Sequence, residues 1–234
     1  LSNNKWMYVN PQETFQLGSL FKVVILMTIL KSAETDPGLL DYEIKFDKKP
    51  AYVPKQTYNS KTIELGKKYK VSELLHYMIA YSDNYATDLL HTKVNLDVFG
   101  KVFSDFGFEV PDVHNLNFRV SAKNYSQFLI ALYNGHYLSI RSSEYATSLL
   151  SECVFNEGIV KGLPATVKVA HKFGEAGVSR EVLELHESAI VYLNNNPYLL
   201  TVMTRGNNVP KMADVISNIA RMVYEKMATK DQWM

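Results

Sequence analysis

The longest apolar run, Val23 to Leu30, is interrupted only by Thr28 and bounded by Lys22 and Lys31. A membrane span needs roughly 20 apolar residues, so the run predicts a buried helix. It opens at Gly18 and Ser19, continues to about Ser32, and is closed by Asp36, Pro37 and Gly38. Leu74, Leu75, Met78 and Ile79 share one face of a helix over Val71–Tyr81. The chain pauses at Ser82-Asp83-Asn84 before a second helix carrying Leu89 and Leu90. Further helices fit Leu96–Phe106, ended by Gly107, Ser121–Asn134, ended by Gly135, and Ser142–Cys153.

Strand signals lie at the two ends. Trp6 to Asn10 reads as a short strand stopped by Pro11, and residues 41–70 as an extended excursion without helical period. Late in the chain the period changes to two. Thr166–Phe173 alternates through Val167 and Val169, His186–Leu193 follows, and Asn194-Asn195-Asn196-Pro197 turns into Tyr198–Thr204. A last amphipathic helix covers Pro210 to about Met227. This order predicts an α+β fold, an antiparallel sheet flanked by helices with a large helical insertion between the first and later strands. Residues 1–17 with 166–234 would form a sheet subdomain and 18–165 a helical one, in one folding unit.

Composition narrows the function. With 47% hydrophobic and 21% charged residues the chain is a folded globular protein rather than a disordered one. A net charge of +1 argues against a dedicated nucleic-acid binder. The single cysteine, Cys153, excludes an intrachain disulfide and a cysteine-rich zinc site. His76, His91, His114, His136, His171 and His186 include no i, i+4 pair, so neither a metal nor another cofactor is expected. No glycine-rich phosphate cradle and no G-x-S-x-G elbow is present. Residues 1–10 lack the charged start and apolar stretch of a signal peptide, and the leading leucine suits a mature or trimmed chain.

Three short motifs carry chemistry. Ser19 sits at the first turn of the apolar helix, where its hydroxyl meets unpaired N–H groups and the positive end of the dipole. Lys22 lies one turn on, beside Leu17, Phe21 and Val23. Desolvation there lowers the pKa of its amine and lets it take the serine proton. Ser19 alone also suits an ordinary N-cap. Ser82-Asp83-Asn84 places a hydroxyl and an amide between two helices, able to relay a proton and to hold a substrate amide, although Asp83 or Asn84 also suits a helix cap. Lys172-Phe173-Gly174 puts a cation on a strand before a glycine that lets another backbone approach.

Together, Ser19-x-x-Lys22, Ser82-Asp83-Asn84 and Lys172-Phe173-Gly174 resemble the three motifs of class A β-lactamases and penicillin-binding D,D-peptidases. The resemblance covers nearly the whole chain: Phe15–Leu30 is similar to the nucleophile helix, Val169–Glu175 to the motif strand and Ala189–Gly206 to the closing hairpin. It implies Ser19 as acylating nucleophile, Lys22 as its base or proton shuttle, and Ser82 as proton relay to the leaving nitrogen. Asn84 would bind the substrate amide and Lys172 the substrate carboxylate, beside Phe173 and Gly174. The oxyanion hole would use the N–H of Ser19 and that of Glu175 or Ala176. These groups would converge in a cleft between sheet and helical regions. The implied partner is a small-molecule or peptide substrate, a β-lactam, cell-wall peptide or small ester, met outside the cytoplasm.

Two positions depart from the family pattern. Phe173 stands where threonine usually helps bind the substrate carboxylate. Val113, in Val113-His114-Asn115-Leu116-Asn117, stands where class A enzymes carry the glutamate that activates the deacylating water. The stretch from Gly107 to Ser121 is also short for the loop that normally holds it. Slow deacylation is the expectation. A β-lactamase with another deacylation route, or a non-turnover penicillin sensor or cell-wall binder, remain the alternatives.

Overall fold

The computed structural model describes residues 1, 5–58, 60–111, 118–179, 181–194 and 196–230. In chain order these form β1 (Thr14–Gln16), α1 (Phe21–Ala33), β2 (Glu43–Lys45), β3 (Lys68–Lys70), α2 (Val71–Ala80), α3 (Asn84–His91) and α4 (Leu96–Asp105). Then follow β4 (Arg119–Ser121), α5 (Ala122–Asn134), α6 (Ile140–Ser151), β5 (Lys168–Gly177), β6 (Leu183–Tyr192), β7 (Tyr198–Gly206) and α7 (Val209–Lys230). The fold is α+β, with a long helical insertion in the chain between β1 and the three-stranded antiparallel sheet β5-β6-β7. Among the described residues no helix is long and apolar enough to cross a membrane.

Contacts divide the chain into two compact units, Leu1–Leu20 with Asp112–Ile130 and Phe155–Met234, and Phe21–Pro111 with Ala131–Val154. The first unit is built on the sheet. In β5 every residue from Val169 to Gly174 is buried, and in β6 every residue from Glu184 to Val191. Both faces of these strands are covered, which is why the sequence shows only a faint period of two. The register sets Lys172 opposite Ser188, Phe173 opposite Glu187 and Gly174 opposite His186. Helix α7 packs on β6 and β7.

The predicted first strand is a correction. Trp6, Met7, Tyr8 and Val9 are exposed and adopt no strand, Trp6 and Tyr8 stacking on each other instead. Their β-favouring residue types find no partner backbone, and pairing rather than propensity makes a strand. The first strand is Thr14–Gln16, which pairs antiparallel with Arg119–Ser121 rather than joining the later strands. Side chains of β6 tie it down: Gln16 N–H donates to Glu184 Oε2 at 2.8 Å, and His186 Nε2 lies 2.9 Å from the Gln16 carbonyl. Thr204 N–H points at His186 Nδ1, which puts the imidazole proton on Nε2.

The second unit is helical. α1 is buried along Lys22–Leu30, the burial expected of a helix apolar all round. Its polar Thr28 hydroxyl is satisfied within the helix by the Val24 carbonyl. Among the described residues the 41–70 excursion holds no α-helix, and its two ends form the antiparallel pair β2–β3. α2 and α4 follow the predicted helices to within a residue at each end, and α3 carries Leu89 and Leu90 as expected.

Candidate active site

Gly18–Leu20 forms a single 3-10 turn that leads directly into α1, with Ser19 on it and largely buried. Two glycines let this turn lie against β5. Gly18 has φ of 50°, and a Cβ built on it would fall 2.1 Å from the Glu175 carbonyl oxygen. A Cβ on Gly174 would fall 2.5 Å from the Leu17 carbonyl and 2.7 Å from Leu20 N. Real Cβ atoms do not approach backbone so closely, so backbone meets backbone here because both residues are glycine. The turn is pinned from behind by Tyr125, whose buried hydroxyl donates to the Leu20 carbonyl at 2.9 Å. Ser19 therefore sits beside the Gly174–Glu175 edge of the motif strand.

On that strand Lys172 is fully buried. Its ammonium donates to the Phe173 carbonyl at 3.0 Å and lies 4.2 Å from the centre of the Phe173 ring, a cation–π contact. The ring itself is buried and stacks on Phe155, 4.3 Å between centroids and 21° between planes. Where the resemblance implies a carboxylate-binding hydroxyl, this chain packs an aromatic pair. Glu175 and Ala176 continue the strand half-buried.

The segment carrying Phe155 is held by Glu187. Its carboxylate accepts from Ile159 N–H at 2.7 Å and pairs with His171 Nδ1 at 2.7 Å, all three groups buried. A Cβ on Gly158 would collide with the same carboxylate at 2.0 Å. Sequence reasoning passed over Glu187 and Phe155, since neither belongs to a short motif.

The second unit assembles another polar group. Lys22, buried on the first turn of α1, donates through Nζ to the Ser82 carbonyl at 2.6 Å, to Asn84 Oδ1 at 2.7 Å and to Ser82 Oγ at 3.3 Å. The Ser82-Asp83-Asn84 pause has a clear local cause. Ser82 takes a left-handed conformation, φ 54°, at the end of α2, and Asp83 N–H turns back to the Tyr77 carbonyl. Asp83 then caps α3, accepting from Tyr85 N–H at 2.9 Å while its other oxygen accepts from Ile63 N–H at 2.8 Å. Burial pushes this carboxyl upward, against those two N–H groups and the nearby Lys22 charge. With the cap supplied by Asp83, the Ser82 and Asn84 side chains are left to meet Lys22.

A residue that no motif announced reaches the same group. Gln56 Nε2, from the 41–70 excursion, lies 3.3 Å from the Ser82 carbonyl, 3.4 Å from Ser82 Oγ and 3.5 Å from Asn84 Oδ1. Pro54 in the same segment accepts from Asn84 Nδ2 at 2.9 Å. Polar residues in a stretch without period give no sequence signal of such a contact. The structure thus gathers Lys22, Ser82 and Asn84 in one unit, and Ser19, Lys172, Phe173, Gly174, Glu175 and Ala176 in the other. Only two residues separate Ser19 from Lys22 along the chain. Val113 lies outside the described residues, as do His114 to Asn117.

Chemically, the first group offers a hydroxyl on a backbone turn beside strand N–H groups, and the second an amine bonded to a second hydroxyl and an amide. A family model described as "Beta-lactamase enzyme family" matches residues 1–227. No curated protein matches the sequence. Among solved structures, a beta-lactamase from Chitinophaga pinensis DSM 2588 is 22% identical with a TM-score of 0.83, covering 96% of this chain and 90% of that one. An ancestral (GNCA) class A beta-lactamase is 19% identical with a TM-score of 0.80, over 96% and 90%. A mutant of PBP-A, solved as its acyl-enzyme complex with penicillin G, is 20% identical with a TM-score of 0.77, over 95% and 85%. At such identities the likeness is one of fold.

Proposed function

Because the chain belongs to the beta-lactamase enzyme family, we propose that it is a serine acyl hydrolase that uses Ser19 on D-alanyl peptides, β-lactams or small esters, with slow release of the acyl group. Ser19 Oγ attacks the substrate carbonyl and its proton passes to the Lys22 amine. The oxyanion is held by the N–H of Ser19 and that of Glu175 or Ala176. Ser82 passes a proton to the leaving group, which departs as the acyl-enzyme forms, while Asn84 holds the substrate amide. Water then releases the acyl group. The observation that carries this reading is the bonding of Lys22 to both Ser82 and Asn84, three residues beyond Ser19. It joins two of the three motifs through side chains.

Deacylation is the slow half in this reading. Val113 offers no base, and losing a positioned general base costs about 10²–10⁴-fold in rate. The burial of Phe173 against Phe155 favours, as a second reading, a penicillin binder with no useful turnover. An extracytoplasmic place of action is inferred from family analogy alone.

Intact-mass spectrometry tests the proposal. On incubation with penicillin G or a reactive ester, an adduct should build up over minutes and be absent in Ser19→Ala. Rapid multiple turnover without adduct would overturn slow deacylation. Absence of any adduct or turnover with every donor would overturn the role of Ser19.

A further inference from the structure

The residues around Ser82–Asn84 carry more positive charge than the chain as a whole. Between positions 45 and 61 lie Lys45, Lys48, Lys49, Lys55 and Lys61 against one acid, Asp47, in a protein whose net charge is +1. Just beyond, Lys67, Lys68 and Lys70 are paired with Glu64, Glu43 and Asp41. None of the five earlier lysines makes an ion pair with a described carboxylate.

Two of them border the Lys22 group. Lys49 Nζ lies over the Tyr85 ring at 5.6 Å and Lys61 Nζ over the Tyr81 ring at 5.4 Å, and these tyrosines flank Ser82-Asp83-Asn84 on either side. Both lysines are exposed. The acid between them, Asp83, is buried and spends its oxygens on the Ile63 and Tyr85 N–H groups. Of the exposed acids nearby in sequence, Asp88 lies one turn along α3 and Asp47 two residues before Lys49, while Glu64, three residues beyond Lys61, is paired with Lys67. By contrast, the motif-strand cation, Lys172, is fully buried against the Phe173 carbonyl and ring.

We infer that the acyl donor carries an anionic group remote from its scissile bond, and that Lys49 and Lys61, at the rim of the Ser82–Asn84 loop, recognise it. The inference rests on the acyl-transfer reading above and names its substrate class: a carboxylate-bearing acyl donor. Exposed cations act through solvent, so the preference is modest and salt-sensitive. A two-lysine rim raises reaction with an anion by about 3–10-fold at low salt, fading once the screening length falls below about 10 Å.

The test uses the full chain and two nitrophenyl esters that differ only at the far end of the acyl group, a free carboxylate in one and its methyl ester in the other. The rate of adduct formation is measured for each at low salt, about 20 mM, and high salt, about 300 mM. The carboxylate-to-ester ratio should be about 3–10 at low salt and approach one at high salt. It should also approach one in the double variant Lys49→Gln, Lys61→Gln. The variant Lys67→Gln, Lys68→Gln, which removes equal charge from already paired positions, should keep the parental ratio. A ratio of one in the parent, or a ratio unmoved by the Lys49 and Lys61 changes, or lost equally in the Lys67 and Lys68 variant, overturns the inference while acyl transfer stands. If neither ester labels Ser19, the acyl-transfer reading falls and the inference with it.

Discussion

Lys22 Nζ lies 2.7 Å from Asn84 Oδ1, a partly buried contact between the first turn of one helix and the first residue of another. The same nitrogen holds the Ser82 carbonyl at 2.6 Å, so one side chain closes the end of α2 onto the start of α3. Structure and proposed chemistry share this amine. Lys22→Met keeps the aliphatic bulk but leaves a buried carbonyl and an amide oxygen short of their donor, which costs about 1–3 kcal/mol. Acylation of Ser19 should fall by about 10²–10⁴-fold if the amine accepts the serine proton. Thermal unfolding and adduct formation measured on the same sample separate the two effects. A variant equally unstable but acylated at the parental rate would remove Lys22 from the chemistry.

Ser82 pays a conformational cost for its position. A non-glycine residue at φ 54° is strained by roughly 1 kcal/mol. Glycine adopts that conformation freely, so Ser82→Gly should leave stability unchanged or raise it by up to about 1 kcal/mol. It also deletes the Oγ that faces Lys22, and the same variant should acylate more slowly. Gain of stability with loss of rate would mark Ser82 as kept for its hydroxyl. A variant that loses stability as well would show that the hydroxyl is structural.

Much of this was legible in the sequence. The apolar run at Val23–Leu30 could only be a buried helix, and the pauses at Ser82-Asp83-Asn84 and Gly107 fall where helices end. The alternation from Val167 onward located the sheet, though β5 and β6 each extend beyond their period-two cores because both faces are buried. Trp6–Asn10 misled because residue type cannot report whether a partner strand exists. Thr14–Gln16, only three residues long, has too few positions to show a period. Within the site, motif residues were visible as short words. Gln56, Phe155 and Glu187 were not, since each acts through a fold-dependent contact made far from it in sequence.

Glu184 predicts how the sheet unit responds to acid. Its buried carboxylate accepts from Gln16 N–H at 2.8 Å and from Arg205 Nε at 2.9 Å, with Arg119 at 3.3 Å. Burial alone would raise its pKa, but the nearby His186 ring and the hydrogen bonds from Arg205 and Gln16 outweigh that and bring it from 4.5 to about 2. Because the folded value is depressed, the carboxylate stabilises the fold fully above pH 4.5, and that contribution is lost as pH falls toward 2. The amount is on the order of 3 kcal/mol. Unfolding free energy should therefore fall steeply between those two values in the parent and less steeply in Glu184→Gln. Parallel curves would mean that the ion pairs around β1 carry no net stability.

The contact between Gly174 and the Ser19 turn gives the sharpest separation of site from scaffold. A methyl group at position 174 would fall 2.5 Å from the Leu17 carbonyl and 2.7 Å from Leu20 N, and these two atoms are themselves hydrogen-bonded at 3.0 Å. No flexible side-chain end is available to give way; the backbone of the turn must move, carrying Ser19 with it. Three positions along the same strand, Gly177 is exposed and has no atom within 4 Å of an added Cβ. The two substitutions add the same methyl group to the same strand. Gly177→Ala should leave stability within about 0.5 kcal/mol of the parent and acylation unchanged. Gly174→Ala should cost about 1–3 kcal/mol, as forced overpacking does. It should also slow acylation of Ser19 by 10²-fold or more, since an ångström of misplacement is enough for that loss. Unfolding curves and adduct rates for both variants are sufficient to decide. A Gly174→Ala protein that is destabilised yet acylates like its parent would show that the turn shifts without disturbing Ser19, and the strand edge would then have no part in positioning the nucleophile.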